Sequence, residues 1–447
     1  MTEISNFIPG VKRFRSGTYN SEFTFSTELA ILENEHERKG SSRLMKRIDF
    51  ENGTVTGNIL GAALPMLVAQ ILNLLYNIVD RIYIARIPGC GTAALGAVGL
   101  CFPLIVILSA FANLFGSGGA PLFSIYRGKK ETEQANRIMN TSFTMVCVSA
   151  TFLMTIGLVF ARPLLVLFGA SADALVYAYP YMMLYLIGTL PSMIAVGMNP
   201  FINAQGYSLV GMCSVAIGAA ANLLLDPLFI FVFGLGVQGA AVATVLSQLL
   251  SASFVLLFLT KRAELRVRFL RKTEFSQCSG YAKNIVSLGT SGFVMQLTNS
   301  LVTICCNNVL SVTGGDIYIS VMTIISSVRQ LVETPIYALT EGTSPILSYN
   351  YGARNEKRVR STFKLLLKTS VIYSVILWMI IMIFPQIFAG MFTSDSTLLA
   401  FTKTSLRIYM AVVFIFGVQI ACQMTFISLG RAKDSIIVAI VRKFVLV

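Results

Sequence analysis

Ten stretches of this 447-residue chain are apolar over 23 residues or more, and most charged residues fall between them. They run over about 58–86, 93–126, 140–168, 175–204, 209–233, 238–260, 284–311, 316–350, 362–390 and 398–429, and an eleventh starts near 433. A helix needs about 20 residues to cross the roughly 30 Å hydrocarbon core of a bilayer. Only 13% of residues are charged, against about 25% in a soluble domain, so a water-soluble fold is excluded. Several segments exceed the minimum length, which predicts tilting or protrusion. Pro65, Pro191, Pro200, Pro227 and Pro335 lie within segments and predict kinks.

The net charge of +14 does not indicate nucleic acid, because the basic residues gather in short connections. Arg127, Lys129, Lys130 and Arg137 lie between segments two and three. Seven Lys and Arg lie between six and seven, and Arg354, Lys357, Arg358, Arg360 and Lys364 lie between or beside eight and nine. The alternate connections near 87–92, 234–237, 312–315 and 391–397 carry none. This bias places the basic connections and the N-terminus in the cytoplasm. Residues 1–50 are polar with no signal-peptide core. The organisation expected is a polar tail over 1–56, a six-helix lobe over 57–260, a basic linker over 261–283 and a second lobe over 284–447.

The chain repeats itself. Pro121-Leu-Phe-Ser-Ile-Tyr-Arg-Gly128 matches Pro345-Ile-Leu-Ser-Tyr-Asn-Tyr-Gly352 at an offset of 224, where Tyr185 also meets Tyr409 and Gly206 meets Gly430. Upstream the offset is 226: Asn58, Gln70 and Asn73 meet Asn284, Gln296 and Asn299. Two halves with an even number of spans share one orientation, so an axis along the membrane normal should relate them, with a cleft between. Counterparts of 209–260 would fall near 433–484, so the C-terminal lobe is expected to lack its last one to two helices.

Four acidic residues lie inside apolar segments: Asp80, Asp226, Glu333 and Glu341. An ionised Asp at mid-bilayer costs about 2.5–3.5 kcal/mol, so such groups face water or a cation. At 1.5 Å per residue, Asp80, Asp226 and Thr244 all sit roughly 10 Å below the outer boundary. Asn222 shares a helix face with Asp226 at i−4. Two carboxylates, an amide oxygen and a hydroxyl suit Na⁺; equally, two close carboxylates can hold a proton. The competing account is local: Asp226 caps a kink, and Asp80 pairs with Arg81 or Arg86. Glu333 has Arg329 at i−4, and either an internal ion pair or attraction of a cationic substrate accounts for it. Glu341 is expected near the cytoplasmic end, where water reaches it. Gln70 and Gln296 are repeat-related polar residues inside spans. With one histidine, His36, and eight scattered cysteines without CxxC spacing, no Cys/His metal site can be assembled.

Asn77-Ile-Val-Asp80-Arg, Asn199-Pro-Phe-Ile-Asn-Ala-Gln-Gly206, Asn222-Leu-Leu-Leu-Asp226-Pro and Gly236-Val-Gln-Gly239-Ala-Ala-Val-Ala-Thr244 together resemble the multidrug and toxic compound extrusion (MATE) transporters, in their MepA-like branch. The resemblance covers about 55–447 and implies an all-α, two-lobed antiporter of a bacterial cytoplasmic membrane. It implies export of organic cations in exchange for Na⁺ or H⁺, with no cofactor, no enzymatic step and a monomeric chain. It also implies a cation site at Asp80, Asn222, Asp226 and Thr244, with Asn199 as an accessory residue. The second half departs from this: Cys306 stands opposite Asp80. The 18 Met and 31 Phe allow an adaptable, aromatic cavity wall, and Gly116-Ser-Gly-Gly119 allows close helix approach. A lipid-linked-precursor flippase, or a non-transporting fragment, is the rival reading. The first would want a basic central cleft.

Overall fold

The computed structural model describes residues 47–270, 275–391 and 396–444; the tail over 1–46 with His36, and the linker stretch 271–274, lie outside them. The described backbone is helical, without strands. The first half comprises α1 (Val55–Ala85), α2 (Gly91–Gly128), α3 (Thr132–Leu167), α4 (Ala172–Ile187), α5 (Thr189–Ala204), α6 (Ser208–Pro227) and α7 (Gly236–Leu257). The second comprises α8 (Phe275–Gly352), α9 (Glu356–Ile383), α10 (Pro385–Gly390), α11 (Ser396–Tyr409), α12 (Phe416–Ser428) and α13 (Ala432–Phe444). Six helices are long and apolar enough to cross a membrane, or eight if the bent pairs α4–α5 (56°) and α11–α12 (48°) each count as one span.

The breaks have local causes. The α4–α5 bend falls at Gly188, three residues before Pro191. After Pro227, which has no N–H to give, the chain runs as a π-helical turn over Leu228–Val232, and Phe233 N–H donates to Leu228 O at 2.9 Å. Many hydroxyls inside spans donate to the preceding turn, as Thr144 does to Asn140 O (2.9 Å) and Ser247 to Ala243 O (2.8 Å), which satisfies their donors within the helix. Leu64, Leu167, Leu224, Val232 and Ile408 project outward, each at least 61% exposed, a surface that only an apolar solvent matches.

One expectation needs correcting. Segments seven and eight were separable at 312–315 by sequence, but the backbone stays helical from Phe275 to Gly352. A straight rod of these 78 residues would reach about 117 Å. Yet Ile285 and Gly289 pack on Gly118 and Leu114 of α2, and Tyr349 and Gly352 pack on Gly128 and Ile125 of the same helix. The axis of α8 therefore folds back on itself, and no separate loop marks the reversal. This long element is also richer in Ser, Thr and Asn than the other spans.

The repeat is physical. Lys130 and Arg354, at the 224 offset, are the only non-glycine residues with positive φ among the described residues (64° and 56°). Gly206 and Gly430 share the same left-handed turn (φ 93° and 73°), which glycine adopts at no steric cost. A Cβ on Gly128 would strike the Tyr349 carbonyl, and one on Gly352 the Ile125 carbonyl, again offset by 224. Gly118 abuts Gly289, and its counterpart Gly342 abuts Ala63. The two lobes thus exchange equivalent contacts about one axis. In the 116–119 stretch each glycine admits a different neighbour: Gly116 meets Gly197, Gly118 meets Ile285, and Gly119 meets Ser142 and Phe201.

These crossings gather at the end of the bundle that carries the basic connections. A segment before α1 ties both lobes there. Ile48 N–H donates to Gly206 O (3.0 Å), while Asn350 Nδ2 donates to Phe50 O (3.1 Å) and Arg358 to Gly53 O. Asp49 holds the turn by accepting from Glu51 N–H (2.9 Å) and Asn52 N–H (3.0 Å); the Asn52 bond is the main reason its carboxyl lies below the usual range. Gln205 exchanges bonds with both backbone groups of Leu265 (3.0 and 3.2 Å), so the start of the expected linker is docked on the first lobe. Buried Arg127 donates to Ala204 O (2.6 Å) and Glu264 (3.0 Å) and lies over the rings of Phe123 and Tyr349.

Two expected outcomes follow, both read by thermal unfolding in detergent. Gly128→Val should destabilise by about 1–3 kcal/mol through overpacking, while Gly96→Val, which meets nothing within 4 Å, should leave the midpoint unchanged. Arg127→Ala should cost about 3 kcal/mol, but Arg47→Ala, whose bridge to Glu264 is 43% exposed on both sides, under about 1 kcal/mol.

Candidate functional site

Three helices of the first lobe deliver the four residues singled out by sequence. Asp80 lies five residues before the end of α1, Asn222 and Asp226 one turn apart on α6, and Thr244 two turns into α7. Asn222 Nδ2 donates to Asp226 Oδ1 at 3.1 Å and reaches Thr244 Oγ1 at 3.4 Å. Thr244 spends its own proton on Ala240 O at 2.9 Å, leaving an oxygen lone pair toward the cluster. The Asp80 and Asp226 carboxyl groups are close enough to influence each other electrostatically. Asp226 is fully buried and Asn222 is 2% exposed.

The unspent atoms are all of one kind. Asp80 Oδ1, Asn222 Oδ1 and Asp226 Oδ2 are buried without a hydrogen-bond partner. A buried acceptor left bare costs about 1–3 kcal/mol, and more when charged. Three such oxygens around one point are a set that a hard cation or shared protons would satisfy. The set holds two carboxylates rather than three: among the described residues, no three His, Cys, Asp or Glu side chains converge as a metal site. The alternative pairing of Asp80 is absent among the described ion pairs. Arg81 instead lies over the Phe102 ring at 5.5 Å.

Behind α1, between the lobes, lies a cavity of about 570 Å³. Asn222 and Thr244 belong to its wall, so the cluster borders it, while Asp80 and Asp226 sit behind that wall. Gln70, Gln296, Asn199 and Glu341 also line it. Gln70 Nε2 donates to Glu341 at 3.2 Å, and Asn113 Nδ2 to Gln296 at 3.5 Å. Each bond joins the two lobes, and Gln70 and Gln296 are repeat partners.

The accessory residues divide. Asn199 is committed to α6, donating to Gly211 O (2.9 Å) and Ser214 Oγ (2.6 Å) and accepting from Asn203 (3.0 Å). Ser214 lies two turns along α6 from Asn222, so Asn199 clasps two helices rather than joining the cluster. Glu333 is not in the cavity wall; it pairs with Arg329 at 3.5 Å. Glu341 corrects the expectation of a hydrated end. It lies eleven residues before the end of α8, about 16 Å inward, where α8 crosses α1. Sequence reasoning missed Asn113, Gln248 and Gln423, which line the cavity. Gln248 was findable, since it stands at i+4 from Thr244.

The model of the family described as MatE matches residues 65–228 and 292–447. The chain is 22% identical over 401 residues to the multidrug export protein MepA of Staphylococcus haemolyticus, covering 89% of this chain and 87% of that one. It is also 22% identical over 398 residues to the multidrug export protein MepA of Staphylococcus aureus strain N315, with the same coverage. Among solved structures, an outward-facing multidrug resistance MATE family transporter of the MOP superfamily superposes with a TM-score of 0.81 at 24% identity, covering 90% of this chain and 88% of that one. A MOP superfamily transporter from Pyrococcus furiosus, described by the reverse polarity of its binding pocket, gives 0.80 at 23% over 90% and 88%. With the family model matched over more than half its length, and the two-lobed helical fold in agreement, the chain belongs to the MatE family of membrane transporters.

Proposed function

We propose that this protein exports organic cations across a bacterial cytoplasmic membrane, driven by Na⁺ or H⁺ entering at Asp80, Asn222, Asp226 and Thr244. The observation that carries the coupling is the trio of unpartnered buried oxygens on α1 and α6 of one lobe. The likeness to MepA multidrug export proteins supports the direction and the breadth of substrate. The basic end is then cytoplasmic by the excess of Lys and Arg in its connections.

The described contacts between lobes lie on the cytoplasmic half: Gly128 with Tyr349, Gly118 with Gly289, Phe111 with Phe293. This arrangement is closed inside and suits release outward. A coupling ion bound at the cluster fixes α1 against α6 and α7. Asn222 and Thr244 belong to both cluster and cavity wall, so the ion and the substrate act on shared side chains. Each ligand then shifts the affinity for the other by the same factor. Against the flippase reading, no Lys or Arg lines the cavity, so an anionic pyrophosphate would find no counter-charge there.

In proteoliposomes with an imposed Na⁺ or pH gradient, Asp226→Asn should abolish gradient-driven efflux of a fluorescent organic cation. Asn222→Ala should lower it by about tenfold or more, the loss of one charge-assisted bond and one ligand. Asn199→Ala, remote from the cluster, should lower thermal stability with coupling retained. Efflux by Asp226→Asn at the wild-type rate would remove the site from the mechanism.

A further inference from the structure

The cavity wall is not the aromatic surface that the composition allowed. Of 31 phenylalanines in the chain, Phe293 alone lines it among the described residues, with Tyr76 and Tyr337 as the other rings. Ten carboxamides line it instead, seven from the first lobe and three from the second. Asn199 and Asn203 are spent on each other and on α6. The remaining eight include Gln70, Asn73 and Asn113 on one side and Gln296, Asn299 and Gln423 on the other. A carboxamide offers two donors and an acceptor with two lone pairs, so one side chain can hold a neighbour and a ligand group at once. Glu341 is the single carboxylate in the wall, and its partner is the neutral Gln70.

We propose that the cavity recognises singly charged organic cations carrying amide-like hydrogen-bonding groups, read by Gln70 and Gln296 from opposite lobes, in preference to purely lipophilic cations. The inference rests on the export reading and narrows its substrate class. One carboxylate with no fixed positive charge balances one positive charge. A wall of amides must be desolvated when a ligand enters, and a ligand that cannot return those hydrogen bonds is rejected far more strongly than one that can. The volume, about 570 Å³, is that of a drug-sized site. Gln70 and Gln296 are repeat partners bonded across the seam, so a ligand there meets equivalent amides from both lobes.

A matched pair of probes tests this: 1-benzylpyridinium and 1-benzyl-3-carbamoylpyridinium, equal in charge and differing by one carboxamide. Their binding to the purified full chain would be measured by titration calorimetry. The carbamoyl compound should bind about tenfold tighter or more, worth about 1.4 kcal/mol. Gln70→Met and Gln296→Met keep side-chain length and should bring that ratio below about threefold, whatever change they make to the plain pyridinium alone. Glu341→Gln should weaken both probes alike and preserve the ratio. Thermal melts check that each variant is folded, and either glutamine variant alone is decisive. A wild-type ratio near one, a preference for the plain ion, or a ratio that survives both Gln→Met changes overturns the proposal. Flux in vesicles separates this from the parent reading: a ratio that holds while neither probe is moved sustains the recognition and sinks the export.

Discussion

A carboxylate oxygen buried among apolar helices must find a proton, a donor or a cation, because the surroundings offer no water in compensation. The first lobe places two carboxyl groups under that constraint at one point. Asn222 meets Asp226 with one donor, and Thr244 turns its proton away to its own helix, so acceptors outnumber donors. The cost is of the order of several kcal/mol when nothing occupies the cluster. It is offset elsewhere by close packing of α1, α6 and α7 and by the buried ties at the basic end. An excess of acceptors held by a well-packed lobe is a device for drawing a positive charge to a fixed depth.

The second lobe repeats the backbone but not this chemistry. Turns recur at the offset of 224 down to the positive φ of Lys130 and Arg354, and the contacts at Gly128 and Gly352 mirror each other. Cys306 occupies the position opposite Asp80, and Gln423 that opposite Asn199. Where the first lobe concentrates charge behind its wall, the second presents amides and Glu341 on the wall itself. The carboxyl cluster thus lies on the first lobe alone, while both lobes line the cavity, with Asn222 and Thr244 shared between cluster and wall.

The convergence of Asp80, Asn222, Asp226 and Thr244 was legible because depth along a straight helix is arithmetic. Counting residues from the ends of three spans brought Asp80, Asp226 and Thr244 to one level, and i−4 spacing added Asn222. The same arithmetic failed for Glu341, whose surroundings are decided by a crossing of α8 over α1 that no count along one helix reveals. It also failed at 312–315, where two glycines read as a loop but the backbone stays helical. The amide lining was hidden for a further reason. Asn and Gln at scattered positions in seven helices carry no linear pattern, and only the packing of lobes turns them toward one space. Composition allowed an aromatic wall without requiring one, and among the described residues Phe293 is the only phenylalanine in the cavity lining.

The paired carbonyl contacts of Gly128 and Gly352 place the tightest crossing of the molecule at one extremity of α2. That helix is 38 residues long, about 57 Å. Were the lobes to turn about that crossing, α2 would act as a lever of nearly its full length. A swing of about 10° about that point carries the opposite tip through about 10 Å, enough to admit a small molecule. The glycines that bring the two backbones together thus also set the mechanical advantage, converting a small rotation at a dry, close-packed fulcrum into a wide displacement at the far rim.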